Sequence, residues 1–251
     1  MKKNKNTPKE NLFISTQQQA QQQPQMIVAN DPNQLQFNVE DTFKCPIYIA
    51  TKPEWVEPLN KASDPIIEKN RKVWKKKIKD PKDPTKHMPN SIHSELLWQY
   101  EEFKPIASLI LQQGFNILSW QGYDLTGKIP MLNELWVQEF PEEGGFHDIH
   151  EHGNNHISGF YFLKCNEKTS HPVFHDPRPG KKMTDLRMKE TNKINYGSSQ
   201  VHYKVKPGTF IFFNSYMPHA YVHYKGKDKF RFIHFNMSVV SDPRLSTEAK
   251  N

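Results

Sequence analysis

Apolar positions are sparse at the start of the chain and dense towards its end. Through residue 36 they show no periodicity, and Gln17 to Gln25 reads QQQAQQQPQ, a polar low-complexity tract with no face to bury. Residues 1–36 are therefore predicted to be a disordered tail that the fold can lose, and residues 37–245 a single domain. Loose alternation of β-branched and aromatic residues in FNVEDTFKCPIYIAT predicts one or two strands from Phe37 to Thr51. Asp64-Pro65 offers a helix start, with Asp as N-cap and Pro at the first helical position. Ile66, Ile67, Val73, Trp74 and Ile78 follow it at helical spacing. The prolines of DPKDPTKHMPN make Asp80 to Asn90 a loop. A second helix is predicted from Lys104 to about Gly122, burying Ile106, Leu109, Ile110 and Ile117, with Gly114 as its weak point.

From Glu134 onward the pattern changes to strands and turns. Strands are predicted over Glu134 to Phe140, Ile157 to Leu163, Val201 to Val205, Thr209 to Phe213 and Phe230 to Val240, besides a histidine-rich one after Gly144. Short strands separated by Gly and Pro turns predict a mostly β fold, a sandwich or barrel, preceded by helices.

Composition narrows the class. A chain of 251 residues with 19 prolines, 12% aromatic and 35% hydrophobic residues fits a soluble, turn-rich domain. No apolar run reaches membrane-spanning length, and the basic start MKKNKNTPKENLF has no apolar core behind it, so neither a membrane span nor a secretory signal is expected. Two cysteines, Cys45 and Cys165, make no CxxC and no disulfide framework, which points to a reducing cytoplasm. The net charge of +7 makes nucleic acid a possible partner. Much of it lies on Lys69, Arg71, Lys72, Lys75, Lys76 and Lys77, with little aromatic interleaving, and reads as a solvated helix face.

Candidate chemistry concentrates in Gly144 to Lys164, GGFHDIHEHGNNHISGFYFLK. His147, His150, His152 and His156 fall close together there, and an imidazole is costly if buried unpaired. Read as a strand, Asp148, His150 and His152 share one face, and two imidazoles on one rigid face are ready metal ligands. Gly153, Asn154 and Asn155 disfavour the helix that would pair His152 with His156 instead. Further on, Pro207-Gly208 opens a turn and a strand, and a short turn delivers His219 behind Pro218. Arg231 then stands among Phe230, Phe232, Ile233 and Phe235. Facing inward it needs an anionic partner; facing outward it lies on an edge or pairs with an internal carboxylate. His93-Ser94-Glu95 also has a His-x-acid pattern, but it precedes a helical stretch and reads as surface.

The order of these features resembles the Fe(II)/2-oxoglutarate-dependent oxygenases, and most closely a bacterial and phage branch with an HxH…SG-aromatic-aromatic signature. The likeness covers Phe37 to Val240 in layout. It is carried by WVQEF (Trp136 to Phe140), HEHGNNHISGFYFL (His150 to Leu163), PGTFIFFNSYMPH (Pro207 to His219) and RFIHFN (Arg231 to Asn236), with FHDPR (Phe174 to Arg178) as a shorter motif. The resemblance implies a double-stranded β-helix, a jelly-roll or cupin-like barrel, with Fe(2+) at its mouth and 2-oxoglutarate and O2 as co-substrates. It makes His150 the first metal ligand and His219 the distal one. Arg231 would hold the distal carboxylate of 2-oxoglutarate through its planar fork, with Gln138, Tyr161 and Phe162 beside the co-substrate.

The sequence departs from the superfamily pattern twice. His152 stands where most members carry Asp or Glu. Either His152 completes an all-histidine face or Asp148 supplies a carboxylate; the spacing from His150 favours His152. Phe162 stands where many relatives place a tyrosine that bonds 2-oxoglutarate, while Tyr161 should face the other side of the strand. The implied activity is a dioxygenase that hydroxylates a peptidyl side chain, an amino acid or a base and releases succinate and CO2. Its rival is a cupin-like metal-binding or phage structural protein without oxygenase activity.

Overall fold

A computed structural model of the protein describes residues 40–79, 82, 91–142, 144–183, 186–189, 191, 193–224 and 226–245. The expected disordered tail, residues 1–36, and most of the expected loop over residues 80–90 lie outside the described residues. Residues 40–44 belong to a separate first unit, where Asp41 and Lys44 approach to 3.7 Å. From Cys45 on, the chain runs through β1 (Ile47–Thr51), α1 (Val56–Lys79), β2 (Ile92–His93), α2 (Lys104–Trp120), β3 (Lys128–Phe140), β4 (Gly145–His150) and β5 (Ile157–Lys164). It continues with β6 (Pro172–His175), β7 (Gln200–His202), β8 (Thr209–Asn214), β9 (His219–Tyr224) and β10 (Phe230–Ser241). Among the described residues, one sheet has the order β1-β8-β5-β10-β3-β2 and a smaller one the order β4-β9-β6-β7. All neighbouring strands are antiparallel. This is the double-stranded β-helix that the resemblance implied, with α1 and α2 against the outer face of the larger sheet.

Strand alternation sorts the apolar residues into two cores. Phe140 on β3, Phe160 and Phe162 on β5, Phe213 on β8, and Phe230 and Phe232 on β10 meet Phe174 and Tyr221 of the smaller sheet. Their neighbours Leu135, Val137, Tyr161, Leu163, Phe210, Phe212, Ile233 and Phe235 point the other way, onto the helices. With both faces buried, the central strands read as continuous apolar runs. Each buried phenylalanine contributes about 1.5–3 kcal/mol.

The helices differ from expectation in two details. α1 begins at Val56, so Pro65 lies inside it, not at its start. An interior proline forfeits one helical hydrogen bond. Here its ring faces solvent while Leu59, Ile66, Ile67 and Trp74 bury the opposite stripe; Val73, expected in that stripe, is exposed. Gly114 in α2 is a packing requirement, because a Cβ there would run into the sulfur of Met237 on β10.

Arg231 shares the parity of Ile233 and Phe235 and therefore faces α1. Its side chain is 2% exposed; Nε donates to Glu139 Oε2 at 2.7 Å and Nη1 to Asp64 Oδ1 at 2.6 Å. Nη1 also lies 3.3 Å from Asn60 Oδ1, and Arg71 holds the second oxygen of Glu139. The expectation that Arg231 holds 2-oxoglutarate is corrected: it faces away from the barrel interior, and internal carboxylates occupy its fork. Tyr161 is corrected as a co-substrate contact on the same ground. Its hydroxyl donates to the Lys52 carbonyl at 2.6 Å on the helix side of the sheet.

This network predicts a stability difference. Arg231→Leu should lose about 3 kcal/mol in urea unfolding, because Glu139 stays buried with one cation fewer. Asp64→Asn, at a side chain 57% exposed, should lose under about 1 kcal/mol. Parent-like stability of Arg231→Leu would show that this pair does not hold α1 to the sheet.

Candidate metal centre

β4 and β9 are neighbours in the smaller sheet, and their register sets His150 opposite His219. The two ring centroids are 4.4 Å apart. β4 ends at His150, so His152 sits in the turn beyond it and not on the strand, as alternation had placed it. That turn is pinned where the His152 N–H donates to the Ser215 carbonyl at 3.0 Å. His152 Nε2 comes within 3.3 Å of His219 Nε2. Candidate ligand atoms of His150, His152 and His219 all lie within 4.8 Å of one another. Asp148 is exposed and lends only its backbone carbonyl, 2.7 Å from His150 Nδ1. Of the two alternatives for a third ligand, the structure brings His152 to the pair.

The rings are oriented by their second nitrogens. His150 Nδ1 donates to the Asp148 carbonyl, and His219 Nδ1 to the Met217 carbonyl at 3.0 Å. That leaves each Nε2 lone pair free for a ligand. The motif FHDPR braces the turn before His219: the His175 N–H donates to the Pro218 carbonyl at 2.8 Å, and the Phe174 ring centroid lies 5.9 Å from that of His219. Burial, and then the like charge of His150, hold the His219 pKa well below its ordinary value. The same two causes push His152 down to about 4. Both rings are thus neutral at neutral pH, the form that binds metal.

The surroundings mix expected and missed residues. Gln138 is buried and faces the interior, with Nε2 2.6 Å from His147 Nε2 and 3.1 Å from Ser91 Oγ, while Oε1 accepts from Trp136. His93, read as surface, is exposed, and its ring stacks on His147 with centroids 6.1 Å apart. Phe162 lies in the interior and offers no donor. Tyr221, missed in the sequence, follows His219 on β9 and shares its face; its hydroxyl is buried with no hydrogen-bond partner, and burial raises its pKa well above 10. A second group, Glu134, His152 and His234, also gathers its candidate ligand atoms within 4.8 Å. Alternation along RFIHFN was the available signal for His234, because Phe232, His234 and Asn236 share a face that Arg231 does not.

Residues 134–236 match a sequence profile described as "Putative 2OG-Fe(II) oxygenase". That part of the chain is similar to the Fe(II)/2-oxoglutarate oxygenases. The fold is similar to HygX from Streptomyces hygroscopicus, solved with nickel and 2-oxoglutarate bound: TM-score 0.50 and 9% identity over 77% of this chain and 83% of that one. A prolyl-4-hydroxylase from Pseudomonas putida aligns at TM-score 0.46 and 12% identity, covering 77% of this chain and 93% of that one. An oxidoreductase of the 2OG-Fe(II) oxygenase family from Burkholderia pseudomallei aligns at TM-score 0.39 and 10% identity, over 55% of this chain. The chain spans 57% of that protein's length. No curated protein sequence matches the chain. Among the described residues, no helix is long and apolar enough to cross a membrane.

Two outcomes follow for this histidine cluster. His150→Ala and His219→Ala should each bind one equivalent less Fe(II) than the parent in anaerobic titration, with melting temperatures little changed, while Asp148→Asn keeps the parent's complement. Acid should weaken the metal-free protein. The buried imidazoles titrate below their ordinary 6.5, so the unfolded chain takes up protons first as pH falls. Their contribution is complete above about pH 6.5 and is lost as pH drops through about 4. The urea midpoint should fall between pH 7.5 and pH 5; a flat profile would mean these rings are not held neutral by the fold.

Proposed function

We propose that the chain is a non-haem Fe(II)- and 2-oxoglutarate-dependent dioxygenase that hydroxylates a C–H bond of a peptidyl side chain, an amino acid or a base. The convergence of His150, His152 and His219 at one end of the double-stranded β-helix carries this reading. Three imidazole nitrogens fit a first-row metal and leave positions open for small ligands. With iron bound, 2-oxoglutarate and O2 are converted to succinate and CO2, one oxygen atom entering succinate and the other the substrate C–H bond.

The chain's own part is to bind, orient and shield. The carbonyls of Asp148 and Met217 fix the His150 and His219 rings with Nε2 turned to the ion. Three neutral ligands leave an Fe(II) ion its full double charge, where a carboxylate would cancel part of it. That charge favours capture of dianionic 2-oxoglutarate at a site that Arg231 does not face. The distal carboxylate is met instead by the Tyr221 hydroxyl, the buried donor without a partner in the interior. Gln138 borders the same space. Phe140, Phe160, Phe162, Phe230 and Phe232 exclude water from it, which strengthens a hydrogen bond made there. The use of only two cysteines leads us to place the enzyme in the cytoplasm.

Arg231 favours a second reading. With its guanidinium committed to Glu139 and Asp64, the barrel would hold metal without consuming 2-oxoglutarate, as a cupin-like metal-binding protein.

One assay separates the two. Protein loaded anaerobically with Fe(II) is given O2 and 2-oxoglutarate labelled at C1, with and without candidate substrates, and CO2 and succinate are counted. Equal release of both is expected. Tyr221→Phe should raise the KM for 2-oxoglutarate about tenfold with kcat little changed. Bound iron with no succinate would establish the second reading.

A further inference from the structure

We infer that the mouth of the barrel holds two metal ions: one on His150, His152 and His219, and a second on Glu134, His152 and His234, with His152 shared. The inference needs neither 2-oxoglutarate nor turnover. Candidate ligand atoms of Glu134, His152 and His234 lie within 4.8 Å of one another. The β3–β10 register builds the position, placing Glu134 opposite Asn236 and Trp136 opposite His234. The Trp136 ring stacks on His234 at 4.9 Å and covers it from one side.

An orphaned nitrogen points to a ligand there. His234 is 3% exposed, and its Nε2 has no hydrogen-bond partner. The nearest carboxylate oxygen, Glu134 Oε2, is 3.9 Å away, too far for a hydrogen bond. Asn236 is fully buried, and its Oδ1 also has no partner. Meanwhile Asn236 Nδ2 sits between Glu134 Oε2 and His152 Nδ1, the latter at 3.1 Å. Unsatisfied buried polar atoms are rare because each forfeits its hydration, and the His234 nitrogen beside a carboxylate and a second imidazole calls for a shared ligand.

A cation satisfies the first of these: His234 Nε2 becomes a ligand. Asn236 Nδ2, which now lies between Glu134 Oε2 and His152 Nδ1, yields that place to the ion. The donor set is one carboxylate and two imidazoles, suited to a divalent first-row metal. His152 connects the positions: Nε2 faces His219 at 3.3 Å, and Nδ1 faces Asn236. An imidazole that ligates through both nitrogens gives up its ring N–H proton to solvent, so binding of the second ion releases a proton.

Cobalt(II) alone is the probe. Metal-free full-length protein is dialysed against Co(II) and its metal content measured, with proton release followed in weak buffer. The parent should bind two equivalents. Glu134→Gln, a change at a half-buried strand residue that keeps its shape, should bind one and release one proton fewer; His234→Phe should do the same. His219→Ala should keep the second ion and lose the first. A parent that binds a single equivalent overturns the inference. So does full binding of two equivalents by Glu134→Gln and His234→Phe when melting shows both to be folded.

Discussion

Pairing of His150 with His219 across β4 and β9 fixes two imidazoles on adjacent strands. Everything at the barrel mouth is arranged around that pair. β4 has to stop at His150 for the chain to turn back and bring His152 over His219. The turn holds because Ser215, at the end of the neighbouring β8 turn, accepts the His152 N–H. Ser158 and Ser215 are hydrogen-bonded at 2.8 Å just beneath, which ties the start of β5 to the same turn. Carbonyls of Asp148 and Met217 then fix the His150 and His219 rings. The geometry is preorganised, and the loss of side-chain freedom is met during folding and not when a ligand binds.

The second organising constraint is alternation along β10. Phe230, Phe232, His234 and Asn236 face the space between the sheets; Arg231, Ile233, Phe235 and Met237 face the helices. The interior is thereby aromatic, and the guanidinium that an oxygenase would be expected to turn towards its co-substrate instead fastens α1 to the sheet. The consequence is electrostatic. Arg231 thus adds no positive charge to the mouth, and the nearby imidazoles of His152 and His219 are held neutral there.

Much of this was legible in the sequence. The change from helical to alternating apolar spacing marked the β domain, and the continuous runs of β5, β8 and β10 marked strands buried on both faces. His150 and His219 were legible from HxH and from the Pro218-His219 turn. His152 was legible as a neighbour of the pair, though for another reason, since it reaches the cluster from a turn and not along a strand. What misled was local. Asp64-Pro65 carries a strong helix-start signal, yet tertiary burial of Leu59 extends α1 past it, and Asp64 serves Arg231. Arg231 was judged by its position in a motif, although the parity of its neighbours already placed it on the opposite face from His234. Tyr221 stands two residues after His219 and shares its face, a signal that alternation offered, while Glu134 reaches His234 only through the β3–β10 pairing.

Anomalous diffraction at the iron edge, from a crystal of the full chain soaked anaerobically in Fe(II), tests the central claim most directly. The account predicts an iron peak about 2.0–2.2 Å from one nitrogen each of His150, His152 and His219, the usual range for metal–imidazole bonds. No iron peak on His150 and His219, or one there ligated by Asp148 in place of His152, would contradict it.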